Sequence, residues 1–314
     1  MRAISQDTYG GPEVLKLIDT ARPEPLPTEV LVRVEAAGVN PVDAKTRAGQ
    51  GVAGLLGEPP FILGWDVSGV VKAVGHGVHT LAVGDEVYGM PWFPRAASAY
   101  AEYVTAPSRH FARKPANLDH IQAAAVPLAG LTAYQILTAL ADVQKDQRVL
   151  IHAAAGGVGH LAVQIAKALG AYVVGTASAG KHEWLRGLGV DAVIDYHSQE
   201  LAEATGDLDV VVDLVGTEAT LTQSVAVTRP GGLVVAVPSG SPQAVVDRAA
   251  ESGVRVASYL VEPDGHALGE ITELIESGAV RIEVEEVFPL AEAGAAHRRL
   301  EDGRTRGKLV LAVR

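Results

Sequence analysis

The sequence predicts an α/β protein in which a doubly wound parallel sheet is joined to a separate β-rich domain. Three observations carry this. Residues 1–120 are short apolar runs parted by turns; from 121 onward strand-like and helix-like segments alternate; and a glycine-rich turn separates a strand from a helix early in that alternation. At 314 residues the chain exceeds the roughly 100–200 residues of one ordinary domain, which favours two.

The β-rich region is read from EVLVRVEAAGV, VSGVVKAVG, GDEVYG and AEYVTA, each bounded by turn residues, and it is expected to be all-β. RVLIHAA is then a strand. GVGHLAVQIAKALG places Val158, Leu161, Ala162, Ile165, Ala166 and Leu169 at helical spacing, and AYVVGTA is again a strand. AVIDY, DVVVDLVG, GLVVAV and VRVASYL continue the strands, with KHEWLRGLG among the helix-compatible connections. Repeated β–α units of this length imply a parallel sheet covered on both faces. After about 258 the chain offers a helix at HALGEITELIESG, a strand VEEVFPL, a helix at EAGAAHRRLEDG and a final strand GKLVLAVR.

Composition narrows the function. Lys and Arg number 26 against 37 Asp and Glu, and the net charge of −11 repels a polyphosphate backbone, so nucleic acid is not an expected partner. The absence of cysteine excludes disulfides, thiolate nucleophiles and sulfur-ligated zinc. Ile121 to Ala141 carries no formal charge and approaches the ~20 residues of a bilayer span, yet Gln122, Pro127, Gly130, Thr132 and Gln135 interrupt it. Buried helices without membrane insertion are the expectation. The opening MRAISQDTYGGPEVL lacks the apolar run of a secretory signal, which makes a cytoplasmic location the default.

The segment Ala153-Ala154-Ala155-Gly156-Gly157-Val158-Gly159 joins strand to helix. A turn in that context brings backbone N–H groups and the positive end of a helix against a pyrophosphate; the other reading is a glycine-rich connection kept for helix packing. Against G-x-G-x-x-G, Ala154 replaces the first glycine while Gly156 and Gly159 retain the other two. Ala155, Gly156, Gly157 and Val158 are the candidate cofactor contacts. An acidic residue after the second strand would bind an unphosphorylated ribose, and none occurs from Gly175 to Lys181. Ser178 offers a hydroxyl and Lys181 a positive charge, both suited to the 2′-phosphate of NADPH, although Lys181 also reads as a solvated helix-start residue.

With these features in place, the chain resembles the medium-chain dehydrogenase/reductase superfamily, and within it the zinc-independent quinone oxidoreductase and alkenone reductase branch. The resemblance lies in AAGVNPVDAKTRAG, PFILGWDVSGVV, VGDEVYG, AEYV, AVPLAGLTAY, VLIHAAAGGVGHLAVQIAKALGA, LGVDAVIDY and RGKLVLAV, which together span nearly the whole chain. It implies a Rossmann-type domain at 121–257 and a discontinuous GroES-like catalytic domain at 1–120 and 258–314, with nicotinamide entering a cleft between them. It implies Thr132 near the cofactor and Tyr196 beside the adenosine phosphate; helix packing and a strand-end aromatic are their alternative roles. Zinc-dependent relatives carry Cys-x-x-Asp and Gly-His-Glu where this chain has Asn40-Pro41-Val42-Asp43 and Gly64-Trp65-Asp66, so no catalytic metal is expected.

Without zinc, hydrogen bonds must stabilise the negative charge that hydride addition places on a substrate oxygen. Asn40 is the first candidate donor, with a turn role as its alternative. Lys45 is the second, polarising an oxygen or supplying a proton, with a solvated surface lysine as its alternative. Asp43 either orients Lys45 and the neighbouring loop or serves a turn, and bulk water is a further proton source. The expected function is hydride transfer from NADPH to a small electrophile, a quinone or an α,β-unsaturated carbonyl. An enoyl-thioester or biosynthetic tailoring reductase, and a catalytically inactive cofactor-binding scaffold, are the rivals. A homodimer paired through an edge strand near Val254 to Leu260 is expected, and Gly49 to Pro60 is expected to line or cover the substrate site.

Overall fold

A computed structural model of the protein describes residues 1–237 and 240–314. The chain packs into two units. One comprises Met1–Leu131, Val261–Ser277 and Ile282–Arg314, the other Thr132–Leu260 and Gly278–Arg281. The crossing at 131/132 falls inside a helix, Pro127–Gln135, rather than in a linker.

With strands numbered along the chain, the first unit holds β1 (Arg2–Gln6), β2 (Lys16–Asp19), β3 (Glu29–Val39), β4 (Phe61–Ile62), β5 (Asp66–Val74), β6 (Glu86–Gly89), β7 (Tyr103–Pro107), β8 (Phe111–Arg113), β15 (Val284–Pro289) and β16 (Lys308–Ala312). The main sheet runs β15-β16-β3-β5-β6-β8, with β7 also on β3, and a smaller sheet runs β2-β1-β4. The long strand β3 is the spine of the unit. Its register with β16 sets Leu309 opposite Val39, and its register with β5 sets Asp66 opposite Gly38. Residues that follow Val39 therefore emerge between the start of β16 and the start of β5. Gly38 permits this crowding, since a Cβ there would lie 2.7 Å from Asp66 Oδ2.

Residues 1–120 are not all-β. NPVDAKTR forms helix α1 (Pro41–Arg47), followed by the short α2 (Ala53–Leu56). The signal was local: Asn at the N-cap, Pro at the first helical position and Asp at the third, where the Asp43 carboxylate accepts the Asn40 backbone N–H at 2.7 Å. Helix α3 (His120–Ala124) seats Ala124 and Ala125 against Ala36 and Val310 in an apolar cluster of this unit. Helix α4 is Pro127–Gln135.

The second unit is a wholly parallel sheet of β9 (Arg148–Ile151), β10 (Tyr172–Thr176), β11 (Ala192–Ile194), β12 (Leu208–Asp213), β13 (Thr228–Ala236) and β14 (Arg255–Ser258). Its order is β11-β10-β9-β12-β13-β14. The chain starts at the centre, winds one way through β10 and β11, then crosses to the other side of β9, which is the doubly wound arrangement and creates a switch point there. Its helices include α5 (Gly157–Ala168), α6 (His182–Gly187), α7 (Leu201–Ala204) and α8 (Glu218–Val227). Leu150, Val174, Val211 and Val234 of the strands pack with Leu221 and Val225 of α8 in one core. Among the described residues, no helix is long and apolar enough to cross a membrane.

Candidate functional site

In the sheet unit, the glycine turn leaves β9 and enters α5. Ala153 takes a left-handed φ of 46°. Its carbonyl accepts the Gly156 N–H at 2.9 Å, and Ala154 N–H donates to Thr176 O at 3.0 Å, tying the turn to the end of β10. Gly156 is the N-cap of α5 and supplies no side-chain acceptor, which suits the first N–H groups of the helix to an outside anion. A Cβ on Gly159 would stand 2.8 Å from the Ala154 carbonyl carbon, so only glycine lets the helix sit this close to the turn. A pyrophosphate fits this cradle.

Strand register brings the other candidate residues to the same end of the sheet. Thr176 lies opposite Ile194, so Ser178 and Tyr196 each stand two residues beyond the paired ends of adjacent strands. Lys181 closes the turn after β10, its N–H donating to Ser178 O at 2.9 Å. Ala155, Gly156, Gly157, Val158, Ser178, Lys181 and Tyr196 thus share one sheet edge, the carboxyl ends of β9, β10 and β11. Tyr196 is exposed there, with its ring 4.2 Å from that of His197. Thr132 is elsewhere in the fold: it is buried within α4.

In the β-rich unit, Asn40 joins β3 to α1. It is the N-cap of α1, and its side chain is engaged by two residues of neighbouring strands. Its Nδ2 donates to Asp66 Oδ2 at 2.8 Å, while Oδ1 accepts from Lys308 Nζ. An anionic acceptor on one side and a cationic donor on the other fix which amide atom is nitrogen. Lys308 also donates to Val39 O at 3.1 Å and pairs with Asp66 Oδ2 at 3.3 Å, and Asp66 Oδ1 accepts the Leu128 N–H of α4 at 2.7 Å. All three side chains are buried. One of the two Asn40 amide protons is held by Asp66, and the same network fixes the direction of the other.

Behind this group lies a second buried set. Burial pushes the Asp43 carboxyl up to about 7, helped by the nearby Asp66 charge and opposed by the Asn40 backbone N–H and the Tyr100 hydroxyl, which favour its ionised form. Tyr100, whose hydroxyl burial raises well above the usual phenol range, lies 3.2 Å from His297 Nε2. Burial and the Arg47 guanidinium push His297 down to about 3. It is therefore neutral, accepting from Arg47 at Nδ1 (3.1 Å), and Arg47 is anchored in turn by Glu301 at 2.6 Å. Lys45 faces away from this interior and is exposed on α1, so the structure does not gather Asn40 and Lys45 into one buried pair.

Sequence reasoning singled out Asn40 and missed Asp66 and Lys308 as its partners. A signal existed for Lys308, a charged residue at the head of the apolar strand KLVLA, where an uncompensated inward lysine would be costly. The donor set does not suit zinc: Trp65 is buried with its indole N–H donated to Arg95 O at 2.7 Å, and the Lys308 ammonium already stands against both Asn40 and Asp66. Among the described residues, no group of three or more histidines, aspartates or glutamates could hold a metal ion.

Residues 26–116 match the family model of the alcohol dehydrogenase GroES-like domain, and residues 188–311 match that of the zinc-binding dehydrogenase. The chain is 35% identical over 322 residues to the NADPH-dependent alkenal/one oxidoreductase of Arabidopsis thaliana chloroplasts, covering 99% of this chain and 79% of that protein. It superimposes on the quinone oxidoreductase of Coxiella burnetii with a TM-score of 0.94 at 41% identity, covering 100% and 99% of the two chains. The Escherichia coli quinone oxidoreductase complexed with NADPH gives a TM-score of 0.89 at 30% identity, covering 99% and 100%. The chain belongs to the medium-chain dehydrogenase/reductase superfamily, in its zinc-independent quinone oxidoreductase branch, and it is an oxidoreductase.

Proposed function

We propose that this protein carries a hydride from NADPH to a quinone or an α,β-unsaturated carbonyl without a metal. The reading is supported by the glycine turn, Ser178, Lys181 and Tyr196 lying at the carboxyl ends of adjacent strands, an arrangement suited to a phosphorylated dinucleotide. When bound, NADPH supplies the hydride, and a proton from the protein or solvent completes the reduction. The α5 N-terminus binds the pyrophosphate, while Ser178, Lys181 and Tyr196 bind the 2′-phosphate. Thr132 belongs to the same cofactor site in this reading.

Asn40 donates its second amide proton to the oxygen on which charge develops, held in position by Asp66 and Lys308. Lys45, exposed to water, supplies the proton in exchange with solvent. A homodimer completes the reading, supported by β14 standing at the end of its sheet as an edge strand.

Loss of NADPH absorbance with a quinone, an enone and an enoyl thioester tests the reaction. The proposal expects turnover with the first two in preference to the third; NADPH binding without turnover across the panel would make the chain a scaffold. Lys181→Ala should weaken NADPH about tenfold, the order of one charge-assisted hydrogen bond, and leave NADH nearly unchanged. An equal effect on both cofactors would remove Lys181 from the phosphate site.

A further inference from the structure

Ala153 is the corner on which the glycine turn pivots, and it is an alanine in the left-handed region, a conformation that a residue with a Cβ holds only when its surroundings fix it. What fixes it is a buried chain of neutral hydrogen bonds beneath the sheet edge. Ala153 N–H lies 3.2 Å from Thr176 Oγ1, which lies 3.2 Å from His152 Nδ1. His152 Nε2 lies 3.1 Å from Ser224 Oγ, and Ser224 donates to Thr220 O of α8 at 2.8 Å.

The end of the chain sets its direction. Ser224 uses its proton on the Thr220 carbonyl, so it accepts from His152, whose proton is on Nε2. His152 Nδ1 is then an acceptor for the Thr176 hydroxyl, leaving Thr176 Oγ1 to accept from Ala153. Every link is satisfied with the imidazole neutral. A proton on Nδ1 would turn that nitrogen into a donor, and the Thr176 hydroxyl would lose its acceptor and have to seek another. Burial holds the imidazole in its neutral form, lowering its affinity for a proton against the opposing charge of Asp213 on β12.

We propose that His152 is a positioning residue of the dinucleotide site: through Thr176 and Ser224 it locks the Ala153 corner, and with it the direction in which the first N–H groups of α5 meet the pyrophosphate. The inference rests on the NADPH reading above. It assigns a task to three buried side chains, and it makes the effect of altering them specific to ligands that carry a pyrophosphate.

The test measures dissociation constants by calorimetry for NADPH and for adenosine 2′-monophosphate, which carries the 2′-phosphate without a pyrophosphate. Thr176→Val and His152→Leu should each weaken NADPH about tenfold while adenosine 2′-monophosphate changes less than twofold. The double variant should be no weaker than the worse single, because both cut one chain. Thr176→Ser, which keeps the hydroxyl, should restore NADPH to within about twofold of wild type. Ser224→Ala is the milder cut at the far end, should the core variants fail to fold, and it should weaken NADPH about threefold.

Unchanged NADPH affinity in folded Thr176→Val and Ser224→Ala would overturn the proposal. So would an equal loss for both ligands, the mark of a merely structural role. Wild-type protein that binds adenosine 2′-monophosphate but not NADPH would instead remove the pyrophosphate reading of the turn, and the positioning role with it.

Discussion

Two buried polar networks, one in each unit, solve the same problem with different chemistry. In the β-rich unit Asn40 is held between a carboxylate and an ammonium, Asp66 and Lys308, with the titratable Asp43 nearby. In the sheet unit the glycine turn is held by a hydroxyl, a neutral imidazole and a second hydroxyl. Charge gives the first network strength and fixes the orientation of an amide, at the hazard that losing one partner strands the other in a dry interior. In the neutral network a stranded partner carries no charge, so the same loss costs less; its information is the direction in which its protons point.

Removing the cation is the largest break in this comparison. Lys308→Met takes the ammonium away from the buried Asp66 carboxylate, and the expected loss is about 3–5 kcal/mol of stability, read from urea unfolding. Adding Asp66→Asn to that variant should recover a good part of the loss, since the stranded charge is then gone. A double variant no more stable than Lys308→Met would mean that packing of the lysine stem, rather than the charge pair, holds this corner.

On the neutral side the sharpest change is steric. Gly159→Ala would press its methyl against Ala153 and Ala154, with an expected cost of about 1–3 kcal/mol and a loss of NADPH binding of at least tenfold. Calorimetry of NADPH binding checks this, and undiminished affinity would show that the turn yields easily and needs no lock.

How far each network could be read in advance differs for a physical reason. The parallel sheet, the turn and the residues Ser178, Lys181 and Tyr196 follow from local pattern, because a βα corner is specified by a few consecutive residues. The Asn40 network depends on register: Asp66 and Lys308 lie 26 and 268 positions away and meet Asn40 only because β5 and β16 flank β3. Helix α1 was legible in NPVD and was obscured by the apolar strands on either side. His152 looks in sequence like the last step of a strand, and nothing local announces that Ser224, 72 residues on, completes its hydrogen bonds.

Protonation separates the networks next. Asp43, raised from 3.8 to about 7, binds its proton more tightly folded than unfolded, so its contribution to stability falls as pH rises from about 4 to about 7. The slope is at most about 1.4 kcal/mol per pH unit. Asp43→Asn keeps an oxygen for the Asn40 N–H and cannot ionise. Its stability relative to wild type should therefore climb between pH 5 and pH 8, measured by urea midpoints at each pH. A flat difference would show that Asp43 is already ionised at pH 5.

The smallest effect tests whether the sheet network is as neutral as its geometry requires. Ser224→Ala removes one hydrogen bond to His152 Nε2 and one to Thr220 O, and the expected cost is about 1 kcal/mol. His152 is held below its ordinary histidine range, so wild type loses stability as pH falls through about 6.5, where the unfolded chain takes up its proton. The alanine variant keeps the same imidazole in the same burial and should lose stability in parallel. The difference between the two should be flat from pH 5 to pH 8, unlike that of Asp43→Asn. A difference that grows toward low pH would mean that Ser224 accepts from a charged imidazole, and the directional chain that locks Ala153 would have to be redrawn with Thr176 donating elsewhere.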